Sequence, residues 1–150
     1  MSAYCDKPEE QSENPLAKSI LAQVANGDPH AFQWMWAFWN FEHVIDDLVD
    51  GDKAPTVADV SKSLANFVTA LSLNPFYLRH SATLFPLILS ACNRWIDGDE
   101  IKSPAVRCGE IDIFLHVAYL TGGWDHMRAV SPIVRQYDSD SSPKPTTTHQ

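Results

Sequence analysis

A chain of 150 residues with 45% hydrophobic content is enough for one domain with a single sizeable core. Its formal net charge is −8 and its Lys and Arg residues are scattered, which excludes the nucleic-acid backbone and an anionic membrane surface as partners. Three cysteines, Cys5, Cys92 and Cys108, have no zinc-finger spacing, and an odd, sparse count fits reduced thiols in a cytoplasmic compartment.

The N-terminal stretch "MSAYCDKPEEQSE" is polar and acidic, without the basic and apolar regions of a signal peptide, and residues 1–13 are expected to be disordered. Helix punctuation then begins. Asn14-Pro15 opens a helix predicted over 15–26 and Gly27 closes it; Asp28-Pro29 opens one over 29–50 and Gly51 closes that. In each start the cap side chain accepts a hydrogen bond from an orphan N–H, and proline has none to lose at the first helical position. Glycine at the stop adopts the left-handed conformation that ends a helix.

Thr56 and Asp59 form a capping-box pair, followed by Val57, Val60, Leu64, Phe67 and Leu71 in steps of three and four, so a helix is expected over 57–73. Asn74-Pro75 opens the next, over 75–97, with Gly98 as its stop and Pro86 expected to kink or split it. This helix holds the most apolar run, "SATLFPLILSAC", too short for a membrane span. Ser103-Pro104 and Gly122 bracket a helix over 104–121. Met127, Val130, Ile133, Val134 and Tyr137 mark a sixth near 124–137, which Pro132 should break or kink. The remainder, 138–150, is polar and expected to be disordered. No alternating strand pattern occurs. The fold class is therefore all-α: a compact bundle of five to six helices occupying 14–137.

Within this frame "WNFEHVIDDLVDGDK", residues 39–53, is anomalous. Glu42, Asp46, Asp47, Asp50 and Asp52 crowd a helix C-terminus, where partial negative charge disfavours carboxylates. Short loops make successive helices antiparallel, so the two Asp-Gly-Asp turns, at 50–52 and 97–99, should share one end of the bundle. Asp46, Asp47 and Asp50 would then face Asp97 and Asp99, and a divalent cation would relieve their repulsion; Mg²⁺ takes such oxygen ligands. Arg107 and Lys102, with the nearby helix N-termini, could hold a phosphate beside the metal. His43, one turn before Asp46 and Asp47, is the candidate general base.

The pentapeptide "DDLVD", residues 46–50, resembles the DDxxD motif of isoprenoid synthases. That resemblance implies Mg²⁺ held by the aspartates and a prenyl diphosphate held by the metal. The acidic bundle is also similar to the all-α nucleotide pyrophosphohydrolases of the MazG and dUTPase group. There the implied chemistry is a metal-bound water attacking a phosphoanhydride. Their ExxE and ExxD pairs are not reproduced, since Glu42 with Asp46 and Glu110 with Asp112 are spaced differently.

Cys108, Asp112 and His116 recur every four residues and would share a face of the 104–121 helix, as transition-metal ligands or as plain packing and an ion pair. "LTGGWDHMR", residues 120–128, reads as an interhelical linker at the far end from the acids. Two functions stay open. One is divalent-metal-dependent binding or hydrolysis of a phosphate or diphosphate ligand. The other is a non-catalytic helical adaptor or assembly protein that binds a protein partner.

Overall fold

The computed structural model describes residues 14–51 and 54–141; Asp52, the N-terminal segment 1–13 and residues 142–150 of the tail expected over 138–150 lie outside the described residues. The architecture is all-α: α1 Pro15–Ala25, α2 Pro29–Asp50, α3 Val57–Leu73, α4 Pro75–Glu100, a single turn α5 Pro104–Arg107, and α6 Glu110–Ser141. The described residues contain no strand.

Capping works as the sequence implies at four of the five starts. Asn14 Oδ1 accepts from the Ala17 N–H at 3.0 Å, and Asn74 Oδ1 from Tyr77 at 3.0 Å. Asp28 Oδ1 accepts from His30 and Ala31, and Thr56 with Asp59 closes a full capping box. Ser103 makes no side-chain cap, and the helix it opens stops after four residues. The expected helix over 104–121 is therefore broken at Cys108–Gly109, and α6 starts afresh at Glu110.

The glycines divide by role. Gly51 is a left-handed C-cap, φ 71°, as expected. Gly98 stops nothing: α4 runs past it to Glu100, and Gly98 is buried where a Cβ would collide with the Arg107 side chain and crowd the Ser103 carbonyl. Gly109 allows the same closeness against Ala91, where a Cβ would come within 2.7 Å of the Ala91 backbone. Together they let the 103–109 segment lie flat on α4. Arg94 fastens it there, donating through Nε to the Val106 carbonyl at 2.9 Å and through Nη1 to Asp112 at 2.7 Å. Pro86 does not split α4. Its missing N–H leaves the Ala82 carbonyl without an intrahelical donor, and both residues are exposed, so water can satisfy it.

α6 reverses at Gly123, whose φ of 78° and ψ of −171° only glycine adopts readily. The arms 110–122 and 124–141 form a helical hairpin, since Asp138 returns beside Cys108 and Glu110. The second arm continues through Pro132 and beyond 137, where the tail was expected to begin. It lies antiparallel to α1: Asn14 donates to the Tyr137 hydroxyl at 2.9 Å near one end, and a His126 ring nitrogen meets the Val24 carbonyl at 3.1 Å near the other. The linker "LTGGWDHMR" thus has a structural task at the foot of α1.

The core runs between α1, α2, α4 and both arms of α6. Trp34, Met35, Leu84, Ile113, Val24 and Val117 are fully buried in it. Trp34 stacks between Tyr77 and Phe38, and Phe38 meets Phe114 edge-on. The aromatic run of α2 is therefore mainly core, and it holds the C-terminal turns of α2 rigidly over the start of α6. Among the described residues no helix is long and apolar enough to cross a membrane.

Candidate functional site

At the acidic end of α2, Asp46 and Asp50 share one cationic side chain from within the chain. The guanidinium of Arg107 lies 3.3 Å from Asp46 and 3.5 Å from Asp50, with its other face over the Trp95 ring at 5.3 Å. Arg107 also lies against Gly98, so the ends of α2 and α4 do meet at one end of the bundle, joined through this side chain. Burial raises the Asp46 pKa first, and Asp50 adds to it, while Arg107 opposes both.

Asp97 and Asp99 do not join the group. Asp97 accepts from Asn93 at 3.2 Å, and Asp99 pairs with Lys102 at 3.4 Å on the exposed surface. Among the described residues, Asp46, Asp47, Asp50, Asp97 and Asp99 do not converge on a point where one ion could bind three of them. Arg107 reaches from α5 to α2 and brings one positive charge to the position where a cation was expected. Lys102, held by Asp99, is not at the cavity described next.

A cavity of about 270 Å³ opens beside Arg107, between α1, α2, α5 and the two arms of α6. Ile20, Leu21, Ile111, Phe114 and Val134 form its apolar walls. Its polar groups are Glu42, His43, Asp46, Arg107, Cys108, Glu110, Tyr137 and Asp138. Cys108 Sγ and one carboxylate oxygen each of Glu110 and Asp138 lie within 4.8 Å of one another. Among the described residues this is the one cluster of three or more His, Cys, Asp or Glu groups with metal-ligand spacing.

Glu42 projects from α2 toward the same cluster. Its Oε2 is sealed from solvent and has no hydrogen-bond donor. It lies within hydrogen-bonding reach of Glu110, but two carboxylates can bond only if one carries a proton. Burial raises the Glu42 pKa well above the usual carboxylate range, with Glu110 the next cause, and burial likewise raises Glu110. The pair therefore titrates together, one proton standing where a cation could stand. The Cys108 thiol is pushed up to about 12, by burial first and then by Glu110 and Asp138, and it donates to the Pro104 carbonyl at 3.3 Å. It is therefore a protonated thiol near neutral pH.

His43 flanks the cavity. Its Nδ1 is 2.8 Å from the Trp39 carbonyl, which can only accept, so in the neutral ring Nδ1 carries the hydrogen and Nε2 keeps a lone pair. The residue as a whole is exposed, while Trp39 crowds one side of the ring, centroids 3.8 Å apart. That desolvation lowers its pKa, against smaller opposing effects of the Trp39 bond, Asp46 and Asp47. His43 is thus kept neutral and able to accept a proton.

The chain matches no protein-family model, and no curated protein or solved structure is significantly similar to it. The site must be judged by its own chemistry. The proposed face of Cys108, Asp112 and His116 is dispersed: Asp112 pairs with Arg94 and His116 bonds Thr83 at 2.9 Å. The groups brought together at the cavity are Cys108, Glu110 and Asp138, with Glu42 beside Glu110, and not the aspartate-rich turn. For Glu42 a signal was present, an acid embedded among Trp39, Phe41 and other aromatics of a core helix. For Asp138 there was none, since its partners are 28 and 30 residues away in sequence, at Glu110 and Cys108, across a hairpin.

Proposed function

We propose that the cavity is a divalent-metal-dependent site for a small phosphate-bearing ligand, with hydrolysis of a phosphoanhydride as the reaction its groups are suited to. The observation that carries the reading is Glu42, whose buried Oε2 has no donor, beside Glu110 in a cavity that also contains Asp138. Three carboxylates supply the hard oxygen donors that Mg²⁺ or Mn²⁺ prefers. Such an ion would neutralise phosphate charge and acidify a bound water.

The chain's own groups have distinct parts. Arg107 commits Nη2 to Asp46 and Asp50, which fixes the guanidinium, and its remaining N–H donors suit a phosphate oxygen. His43, with Nδ1 turned to the Trp39 carbonyl and Nε2 left to accept, would serve as the base that takes a proton from an attacking water. The apolar walls would hold the non-phosphate part of the ligand and exclude bulk water. Cys108 stays a protonated thiol beside a hard cation.

The test begins with chelator-treated protein titrated with Mg²⁺, Mn²⁺ and Zn²⁺ and followed by thermal shift and calorimetry. Mg²⁺ or Mn²⁺ should raise the melting temperature of the wild type. Glu42→Gln and Glu110→Gln should each abolish that rise while remaining folded. Phosphate release from pyrophosphate and nucleoside triphosphates then follows, with His43→Ala lowering the rate about 10²–10⁴-fold. No response to Mg²⁺ or Mn²⁺ at millimolar concentration would discard the reading. A response to Zn²⁺ alone, lost in Cys108→Ser, would mean a thiolate site of different chemistry.

A further inference from the structure

The outer face of α4 has a pattern that its own bundle does not use. Leu78, Ala82, Phe85, Leu89, Cys92 and Ile96 recur in steps of four, three, four, three and four. All six are exposed, Leu78, Phe85, Leu89 and Ile96 by 54%, 51%, 54% and 61%. This alternation is the a/d seam of a coiled coil, with Ala82, Leu89 and Ile96 at a and Leu78, Phe85 and Cys92 at d. From Arg79 to Arg94 the helix carries no Asp, Glu or Lys and no further Arg. A helix apolar on its outer face as well as its inner one is normally covered on both. None of the six lines the cavity of the candidate site, so the face is independent of that reading.

We propose that this face pairs with α4 of a second copy of the chain, antiparallel, across a two-fold axis near Leu87. The seam is self-complementary in that arrangement. Antiparallel coils stack an a residue on a partner d residue, and every layer here then matches. Leu78 meets Ile96 of the other copy, Ala82 meets Cys92, and Phe85 meets Leu89, each twice by symmetry. Large side chains fill the centre and ends, and the small pair lies between them.

The charges select the direction. Arg79 flanks one end of the seam and makes no ion pair among the described residues. Asn93 and Asp97, themselves hydrogen-bonded, flank the other end on the same side of the helix. Flanks of the same side meet in an antiparallel pair, so Arg79 falls beside Asn93 and Asp97 of the second copy. A parallel pair brings e against g instead, so Arg79 would fall beside Asn74 of the other copy and away from its Asp97. The contact spans 19 residues of helix, about 27 Å at 1.5 Å rise per residue.

The register is directly testable. In a Cys5→Ser background, Ala82→Cys places a thiol opposite Cys92 of the other copy. Within one chain positions 82 and 92 are ten helical residues apart, about 15 Å, beyond disulfide reach. Mild oxidation should therefore yield a covalent dimer on a denaturing gel, and adding Cys92→Ser should abolish it. Sedimentation of the wild type at micromolar concentration should give a dimer. Phe85→Asp with Leu89→Asp should raise the dimer Kd about a hundredfold or more while circular dichroism stays helical, because both positions are exposed in the single chain. A wild type that sediments as a monomer with native helicity overturns the proposal and assigns the face to another protein. A dimer that survives the double substitution, or that fails to cross-link 82 to 92, overturns it equally.

Discussion

Replacing Arg107 by methionine tests how much this side chain offsets the repulsion of Asp46 and Asp50 at the end of α2. Methionine keeps an unbranched stem against Gly98 and Trp95 and removes only the guanidinium. At 3.3 and 3.5 Å from Asp46 and Asp50, each charge pair would have a gross attraction of about 5 kcal/mol at an effective dielectric near 20. The side chains are 27%, 49% and 37% exposed for Arg107, Asp46 and Asp50, so solvent removes most of that. Partly exposed pairs retain about 0.5–1 kcal/mol each. The contact over Trp95 adds about 0.5–1 kcal/mol. The variant should lose about 2 kcal/mol, or about 4–8 °C in Tm for a chain of this size. Chelator-treated protein, unfolded in urea at low and high NaCl, provides the measurement. The loss should shrink at high salt, since screening weakens the pairs in the wild type. Asp50→Asn combined with Arg107→Met should show a coupling of about 0.5–1 kcal/mol. A loss below about 0.5 kcal/mol, or one indifferent to salt and to Asp50, would refute the assignment.

Two further outcomes follow from the same region. Glu42 and Glu110 have raised pKa values in the folded state, so the native form holds their proton more tightly than the unfolded chain. Their favourable contribution is complete below the ordinary carboxylate pKa and is lost as pH rises through the raised values. In metal-free buffer Glu42→Gln should therefore gain about 1–3 kcal/mol at alkaline pH, the cost of a buried group left unsatisfied. The gain should vanish in acid; urea titrations across the pH range check it, and a loss at high pH would contradict the buried-pair description. Gly98→Ala should destabilise by about 1–3 kcal/mol through overpacking against Arg107 and Ser103. It should also weaken the Arg107–Asp50 coupling, read from the same double-mutant cycle repeated in the Gly98→Ala background.

What the sequence determined by itself was the local order of the chain. Asn14, Asp28, Thr56 and Asn74 cap their helices through atoms two or three residues away, and Gly51 ends α2 by its own backbone freedom. Such interactions need no knowledge of the rest of the fold, and neither does the heptad spacing along α4. The sequence also located the unusual end of the bundle, because acids at a helix C-terminus are costly wherever the helix lies. Tertiary structure decided how that cost is met. Whether Gly98 is a stop or a close-packing site depends on Arg107, nine residues on; the reversal at Gly123 and the use of Asp138 depend on α1 and α6 meeting. The stretch "DDLVD" drew attention to Asp46 and Asp50, which share Arg107. The groups with metal-ligand spacing, and Glu42 beside them, come from α2, the turn before α6 and the far arm of α6. A carboxylate's pKa and partners are set by burial and by neighbours distant along the chain, and those quantities exist only once the helices have packed.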